Sequence, residues 1–321
     1  MTASVRPVVR QPDPGTLVDT AGGRARPRPE RFGGLVEAWL RGHTVLIYAF
    51  LYIPIAIVVV FSFNATDRRV TNWQGFSFKW YESVLNDTAV QSALLNSFIV
   101  ATSTAILATI FGSMAALGLQ RAPKWFRTPF EALTFISIIV PEIVIALATL
   151  VFFSSAFDLL NPMLGLQFKL GFHTIIAAHA LFNISLVMLL VRARLSGMDR
   201  THVEASYDLY GTPWRTFWQI TFPQLLPAIV AGFLLSFTFS FDDYVITTFV
   251  SGAGTTTIPL YVFSTIRRGV TPATNAVAAI MLLITLSILV VGQFLVWRNA
   301  RKTGQRGSGA SVAGMITEQS G

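Results

Sequence analysis

The sequence predicts an all-α, polytopic membrane protein with six transmembrane helices and both termini on the cytoplasmic side. Three observations carry that prediction. Hydrophobic residues make up 53% of the 321-residue chain and charged residues only 12%, with a mean hydropathy of +0.58, whereas soluble domains carry about 25% charged residues. Six apolar runs each approach the ~20 residues that cross a bilayer as a helix. Finally, 18 of the 24 Lys and Arg residues lie on the termini and on the two loops that six crossings place beside them, the asymmetry that marks a cytoplasmic face. Topology thus accounts for the net charge of +8 and removes the main argument for a nucleic-acid partner. With no cysteine in the chain, disulfides, thiolate catalysis and cysteine-ligated metals are excluded.

Residues 1–42 are rich in Arg, Pro and Gly without apolar periodicity, which predicts a mostly disordered basic tail. A transmembrane domain over 43–297 follows. Its first span is 44–63, where Pro54 is tolerable because neighbouring helices satisfy freed backbone groups. The polar stretch 64–91 carries Trp73, Phe76, Phe78, Trp80 and Tyr81, residues that favour the membrane–water interface. The second span, 92–119, sets Ser97, Ala101, Ala105, Ala108, Gly112 and Ala116 at helical spacing, a small-residue stripe suited to close helix packing. Residues 129–153 form the third span, interrupted at Pro141-Glu142; 173–191 form the fourth, 227–250 the fifth and 272–297 the sixth. The remainder, 298–321, reads as a flexible cytoplasmic tail.

Between spans four and five, the cytoplasmic loop 192–226 contains a polar island at 204–223. Thr201-His-Val-Glu204 reads as a capping box at a helix start. Gly211 suits the left-handed residue that closes a helix, and Thr212-Pro213 opens a second one, with Pro223 and Pro227 marking its end. That second helix carries Arg215 as its sole charge beside Trp214, Phe217, Trp218, Ile220 and Phe222. Such a face fits a protein partner better than phosphates.

Glu204-Ala205-Ser206, Asp208-Leu209, a glycine turn at Gly211 and Ile220-Thr-Phe-Pro223 together resemble the EAA loop of the permeases of ATP-binding-cassette importers. One departure is visible: the glycine that usually follows the Asp-Leu pair directly is Tyr210 here, with Gly211 one residue later. Over roughly 44–297 the chain is most similar to the spermidine/putrescine branch. The resemblance is carried by Lys79-Trp80-Tyr81, Asn96-Ser97, Pro141-Glu142, His179, Phe241-Asp242-Asp243-Tyr244-Val245, Phe249-Val-Ser-Gly252, Ile258-Pro-Leu260 and Val270-Thr-Pro-Ala-Thr-Asn275-Ala276. It implies a permease subunit that moves a small solute, here polyamines, by alternating access. It implies further that Glu204, Ala205, Ser206, Asp208, Gly211 and Pro223 couple the chain to a separate ATPase subunit. A second permease subunit and an extracytoplasmic substrate-binding protein are the other implied partners. The chain has no G-x-x-x-x-G-K-[ST] loop, so ATP belongs on another protein. Neither a catalytic residue nor a cofactor is expected.

Three acids, Glu142, Asp242 and Asp243, lie deep within the spans, away from the ends. Asp242 and Asp243 fall about 15 residues, or about 22 Å, into span five, beyond the midplane of a core about 30 Å thick. Intramembrane carboxylates usually face a cavity or a partner, and adjacent residues on a helix point about 100° apart. Gly232, Ser236, Ser240, Asp243 and Thr247 share one polar stripe, while Leu235, Thr238, Asp242, Val245 and Phe249 share a mostly apolar one. The expectation is therefore that Asp243 faces the substrate pathway and Asp242 is paired or interfacial. Glu142, near the middle of span three after Pro141, is either a further pathway group or an acid bonded between helices. His179 and Asn183, one turn apart, suit hydrogen bonding between helices. His173, His179 and His202 fall in different environments, so no metal site is expected.

Two other functions fit worse. An intramembrane aspartyl protease needs two carboxylates converging on one point, and neighbours on one helix diverge. A secondary transporter usually shows inverted repeats; none is visible, and the island would have no task.

Overall fold

The computed structural model describes residues 31–67, 72–165 and 167–302, and only the backbone of 31–35, 295–297 and 299–302. Among these residues the chain is helical throughout, apart from turns and one isolated bridge between Asn64 and Phe76. Six helices are long and apolar enough to cross a membrane: Val36–Phe61, Thr88–Arg121, Glu142–Leu164, Phe172–Ser196, Pro213–Asp242 and Pro272–Phe294.

The chain divides into two units, Met1–Pro54 and Ile55–Gly321. In the first, the described residues belong to α1 (Arg31–Phe61), whose side chains from Val36 onward are almost all exposed, as a lipid-facing helix requires. Arg41 pairs with Glu37 one turn earlier at 2.5 Å. Disorder predicted over 1–42 thus falls mostly outside the described residues, and 31–42 are helical. The tail predicted from 298 likewise begins as helix and otherwise lies outside the description.

In the second unit, α2 (Lys79–Asn86) leads to α3 (Thr88–Arg121), α4 (Lys124–Ile139), α5 (Glu142–Leu164) and α6 (Phe172–Ser196). Next come the short α7 (Thr201–Asp208) and α8 (Pro213–Thr216), a π-helical turn at Phe217–Thr221, then α9 (Phe222–Asp242), α10 (Val245–Val250), α11 (Ile258–Ile266) and α12 (Pro272–Lys302).

The centre is α3 wedged against α6 and α9. All six members of the small-residue stripe on α3 are buried. Ala108 and Ala116 pack with Val187, Met188 and Val191 of α6; Ala101 and Ala105 pack with Phe237 and Phe241 of α9. In lipid the driving force is close packing rather than water exclusion, and Gly112 shows how close: a Cβ there would stand 2.8 Å from Val187 Cβ and 2.9 Å from the Ile184 carbonyl oxygen. At one end of these helices Glu131 of α4 accepts from Arg127 Nε at 2.5 Å and from Arg192 Nη2 of α6 at 2.6 Å.

At the other end, Asn96 Nδ2 donates to the carbonyls of Gly254 and Thr256, both at 3.0 Å, and Ser97 Oγ accepts from the Ile258 N–H at 2.8 Å. These bonds fasten the 251–258 loop onto α3. Gly252 lies so close beneath Leu170 that a Cβ would sit 1.8 Å from its carbonyl oxygen.

Two predicted boundaries move. Span three is interrupted at Pro141-Glu142, as expected, but the helix long enough to cross is Glu142–Leu164 and not 129–153: Pro141 has no N–H to continue α4, the backbone turns extended at Val140 and Pro141, and α5 restarts at Glu142. In the island, Pro223 and Pro227 do not end a helix. The π turn carries α8 directly into α9, with the Phe222 N–H reaching back to the Phe217 carbonyl, and a wider turn absorbs the donor that Pro223 lacks.

Candidate functional site

Two regions gather the residues singled out by sequence, at opposite ends of α9, about 30 Å apart at 1.5 Å per residue.

At the far end α9 stops at Asp242, Asp243 is extended, and α10 begins at Val245. The Asp243 carboxylate satisfies the donors freed by that break. Its Oδ2 accepts from the Thr247 N–H at 2.8 Å and the Thr247 hydroxyl at 2.7 Å, and its Oδ1 from the Ile246 N–H at 3.3 Å. From α6, His179 Nε2 stands 2.9 Å from Oδ2, and its Nδ1 lies 2.8 Å from Ser240 Oγ on α9. With Nε2 donating to Asp243, the Ser240 hydroxyl donates to Nδ1 of a neutral ring, or accepts from it if the ring is protonated. His179 is 1% exposed and Asp243 8%.

The stripe Gly232, Ser236, Ser240, Asp243 and Thr247 is therefore buried, as its shared spacing predicts, but it meets α6 rather than an open cavity. Gly232 lies under Val187, where a Cβ would be 3.1 Å from Cγ1. Asp242 is the exposed carboxylate, with Thr285 Oγ1 of α12 at 3.4 Å as its hydrogen-bond neighbour. Asp243, expected to face the substrate pathway, is thus the buried carboxylate of the two. The break between the helices explains why: once α9 ends, Asp243 caps α10 instead of projecting from a continuous helix.

Glu142 opens α5 on the second helix break. It is exposed, and its carboxyl faces that of Asp243. Two interrupted helices thus bring their acids together, with Ala146 of α5 packed in the same cluster as Ile246 and Val250 of α10. Sequence reasoning placed all three acids within the spans but missed the His179–Asp243 pair. A histidine and an aspartate far apart in sequence carry no spacing signal; their shared polar faces on α6 and α9 were the available clue.

At the near end, α7 and α8 form a hairpin carrying Glu204, Ala205, Ser206 and Asp208, of which Glu204, Ala205 and Asp208 are exposed. Helix α7 is not capped by Thr201. Asp199 Oδ1 accepts from the Thr201 N–H at 2.9 Å and its hydroxyl at 2.6 Å, and these two bonds hold the Asp199 carboxyl below the usual carboxylate range. The helix closes by a Schellman motif: the Gly211 N–H bonds the Ser206 carbonyl at 2.8 Å and the Tyr210 N–H the Tyr207 carbonyl at 3.0 Å.

The left-handed residue of that motif is Tyr210, at φ 58, and not Gly211. Outside glycine such a conformation costs roughly 1–2 kcal/mol. Gly211 is needed for a different reason, since a Cβ would be 2.4 Å from Ser206 Oγ, which itself bonds Thr216 Oγ1 at 2.8 Å. Pro223 lies in the first turn of α9, exposed. Between this hairpin and the ends of α3 and α6 is a cavity of about 600 Å³, lined among others by Arg121, Asp199, Glu204 and Thr216.

Comparison with known proteins agrees with this architecture. Residues 108–304 match the family described as the binding-protein-dependent transport system inner membrane component. The spermidine/putrescine transport system permease protein PotC of Haemophilus influenzae is 37% identical over 254 residues, covering 79% of this chain and 95% of that protein. The putrescine transport system permease protein PotI of Escherichia coli K12 is 38% identical over 255 residues, covering 79% and 87%. Among solved structures, a bacterial ABC transporter involved in the import of the acidic polysaccharide alginate superposes with a TM-score of 0.68 at 13% identity, covering 83% of this chain and 96% of that one; at that identity the likeness shows the fold. Broken spans, a capped hairpin after the fourth span and the match over 108–304 lead to one family: this chain belongs to the binding-protein-dependent transport system inner membrane components, the permease subunits of ATP-binding-cassette importers.

Proposed function

We propose that this permease imports polyamines, with both termini and the α7–α8 hairpin in the cytoplasm. The observation that carries the reading is the meeting of two helix breaks that bring Glu142 and Asp243 face to face, beside the exposed Asp242. Family membership implies an ATPase subunit and a substrate-binding protein. The second permease subunit is part of the proposal, as is coupling to the ATPase through Glu204, Ala205, Ser206, Asp208, Gly211 and Pro223.

Carboxylates in a low-dielectric setting attract a cation strongly, and conduction needs that attraction to be weak enough for release. An exposed Asp242 and an exposed Glu142 meet this requirement, since each keeps solvent access. Asp243 acts behind them, its charge already bound by four donors. Its role is to hold the α9–α10 break in shape and add negative potential. The names of the relatives, which transport spermidine and putrescine, support a di- or polyamine as the cargo.

Uptake of labelled putrescine into vesicles containing the complete assembly tests this. Excess unlabelled putrescine or spermidine should suppress uptake, while neutral solutes of similar length should not. Uptake unaffected by either polyamine, or suppressed equally by a neutral diol, would overturn the reading.

A further inference from the structure

The turn between α7 and α8 contains a contradiction in residue choice. Tyr210 is the only non-glycine with positive φ among the described residues, and it is also 96% exposed. Its ring makes no contact that would stabilise the left-handed backbone. A glycine stands next door at Gly211, yet is used for a tight approach to Ser206 and Thr216 and not for the left-handed position. Backbone strain of this kind persists where the side chain is wanted for something else. Leu209, at 81%, and Trp214, at 72%, flank it and are also exposed, so three large side chains project from one turn.

What they meet is decided by charge and by rigidity. From Arg200 to Arg215 the hairpin carries two acids, Glu204 and Asp208, and an arginine at each end, so it has no net positive charge with which to bind an anionic leaflet. The turn is rigid, held by the two Schellman bonds and by the Ser206–Thr216 hydroxyl pair. A preorganised aromatic on a rigid turn is the usual form of an interface anchor, since little conformational freedom is lost on docking. It is also continuous with Glu204 and Asp208, the surface proposed above for ATPase contact.

We infer that Tyr210, supported by Leu209 and Trp214, is an anchor that inserts into an apolar socket on the ATPase subunit and selects the ATPase whose socket admits an aromatic ring. This rests on the coupling role proposed for the hairpin. An ATPase groove shaped for a glycine at this turn has no room for the phenol, so the residue both attracts its own partner and excludes others.

The test uses the full assembly, purified through a tag on this chain, and reads ATP hydrolysis that co-elutes, coupled uptake in vesicles and thermal stability of the permease. Tyr210→Gly and Tyr210→Asn both suit a left-handed backbone, so each should raise or maintain the melting temperature. Each should also lower co-eluting ATPase and uptake at least tenfold, while Tyr210→Phe restores most of both. Wild-type coupling in the Gly and Asn variants overturns the inference, as does a change confined to vesicle partitioning or to self-association of the permease. Glu204→Lys separates the two levels. If it leaves ATPase association intact, the coupling role itself fails; if it abolishes association while Tyr210→Gly does not, only the anchor fails.

Discussion

His179 Nε2 and Asp243 Oδ2 stand 2.9 Å apart in a setting where both side chains are almost fully buried. The pair ties α6 to the junction of α9 and α10, and it is completed by Ser240 behind the ring and Thr247 beside the carboxylate. Removing one member of such a pair strands the other, at about 3–5 kcal/mol. His179→Ala and Asp243→Ala should each destabilise the detergent-solubilised protein by about that much, measured by thermal or chemical unfolding. The double variant should lose much less than the sum, because the stranded partner is gone as well.

Asp242 should behave differently. It is exposed and its contact with Thr285 is long, so Asp242→Asn should leave the melting temperature within about 1 °C, equivalent to a few tenths of a kcal/mol. Polyamine uptake should nevertheless fall roughly tenfold or more, about 1.4 kcal/mol of lost attraction. Normal uptake with Asp242→Asn and loss with a fully folded Asp243→Asn would return the pathway role to Asp243.

Gly252→Ala is expected to be among the most disruptive single-methyl additions in the chain. The added Cβ collides with a backbone carbonyl at 1.8 Å, which cannot rotate away as a side chain could. The 251–258 loop must then lift from α3 and break its bonds to Asn96 and Ser97. Hydrogen exchange of residues 252–258 should accelerate at least tenfold, and Gly118→Ala, where nothing lies within 4 Å, is the matched control.

The start of α7 should depend on pH. Hydrogen bonds from Thr201 hold the Asp199 carboxyl below its ordinary value. A carboxyl depressed in the folded state stabilises above its unfolded pKa of about 3.9 and loses that contribution as pH falls through the lower folded value. Protection of the α7 amides, corrected for the intrinsic exchange rate at each pH, should therefore fall on acidification below about pH 4. Asp199→Asn should remove this pH dependence, and unchanged acid sensitivity in that variant would rule out Asp199 as the group responsible.

The spans were legible because lipid imposes a simple rule on composition, and the stripe from Ser97 to Ala116 was legible because small residues at helical spacing have few other uses. Local chemistry was less so. Thr201 and Glu204 have the spacing of a capping box, yet Asp199, two residues upstream, is the better acceptor and takes the position. Pro223 has the look of a terminator, and nothing in its neighbours announces the π turn that lets the helix continue. The stripe through Asp243 was read as one face, and it is one. What the stripe faces depended on His179, and that belongs to the packing of α6 against α9.

The π turn at 217–221 has a mechanical consequence. Because it joins α8 to α9 without a hinge, the hairpin and Asp242 ride on a single rod about 45 Å long at 1.5 Å per residue. A π turn accommodates one residue more than regular helix, and one residue is about 100° of rotation. Because the surplus residue is taken up within one wide turn, the helix on either side keeps its phase, and deleting it would restore regular helix without turning the carboxylate relative to the hairpin. The five residues from Phe217 to Thr221 therefore act as a phase keeper, absorbing one residue while the direction of the distant acid relative to the hairpin is preserved.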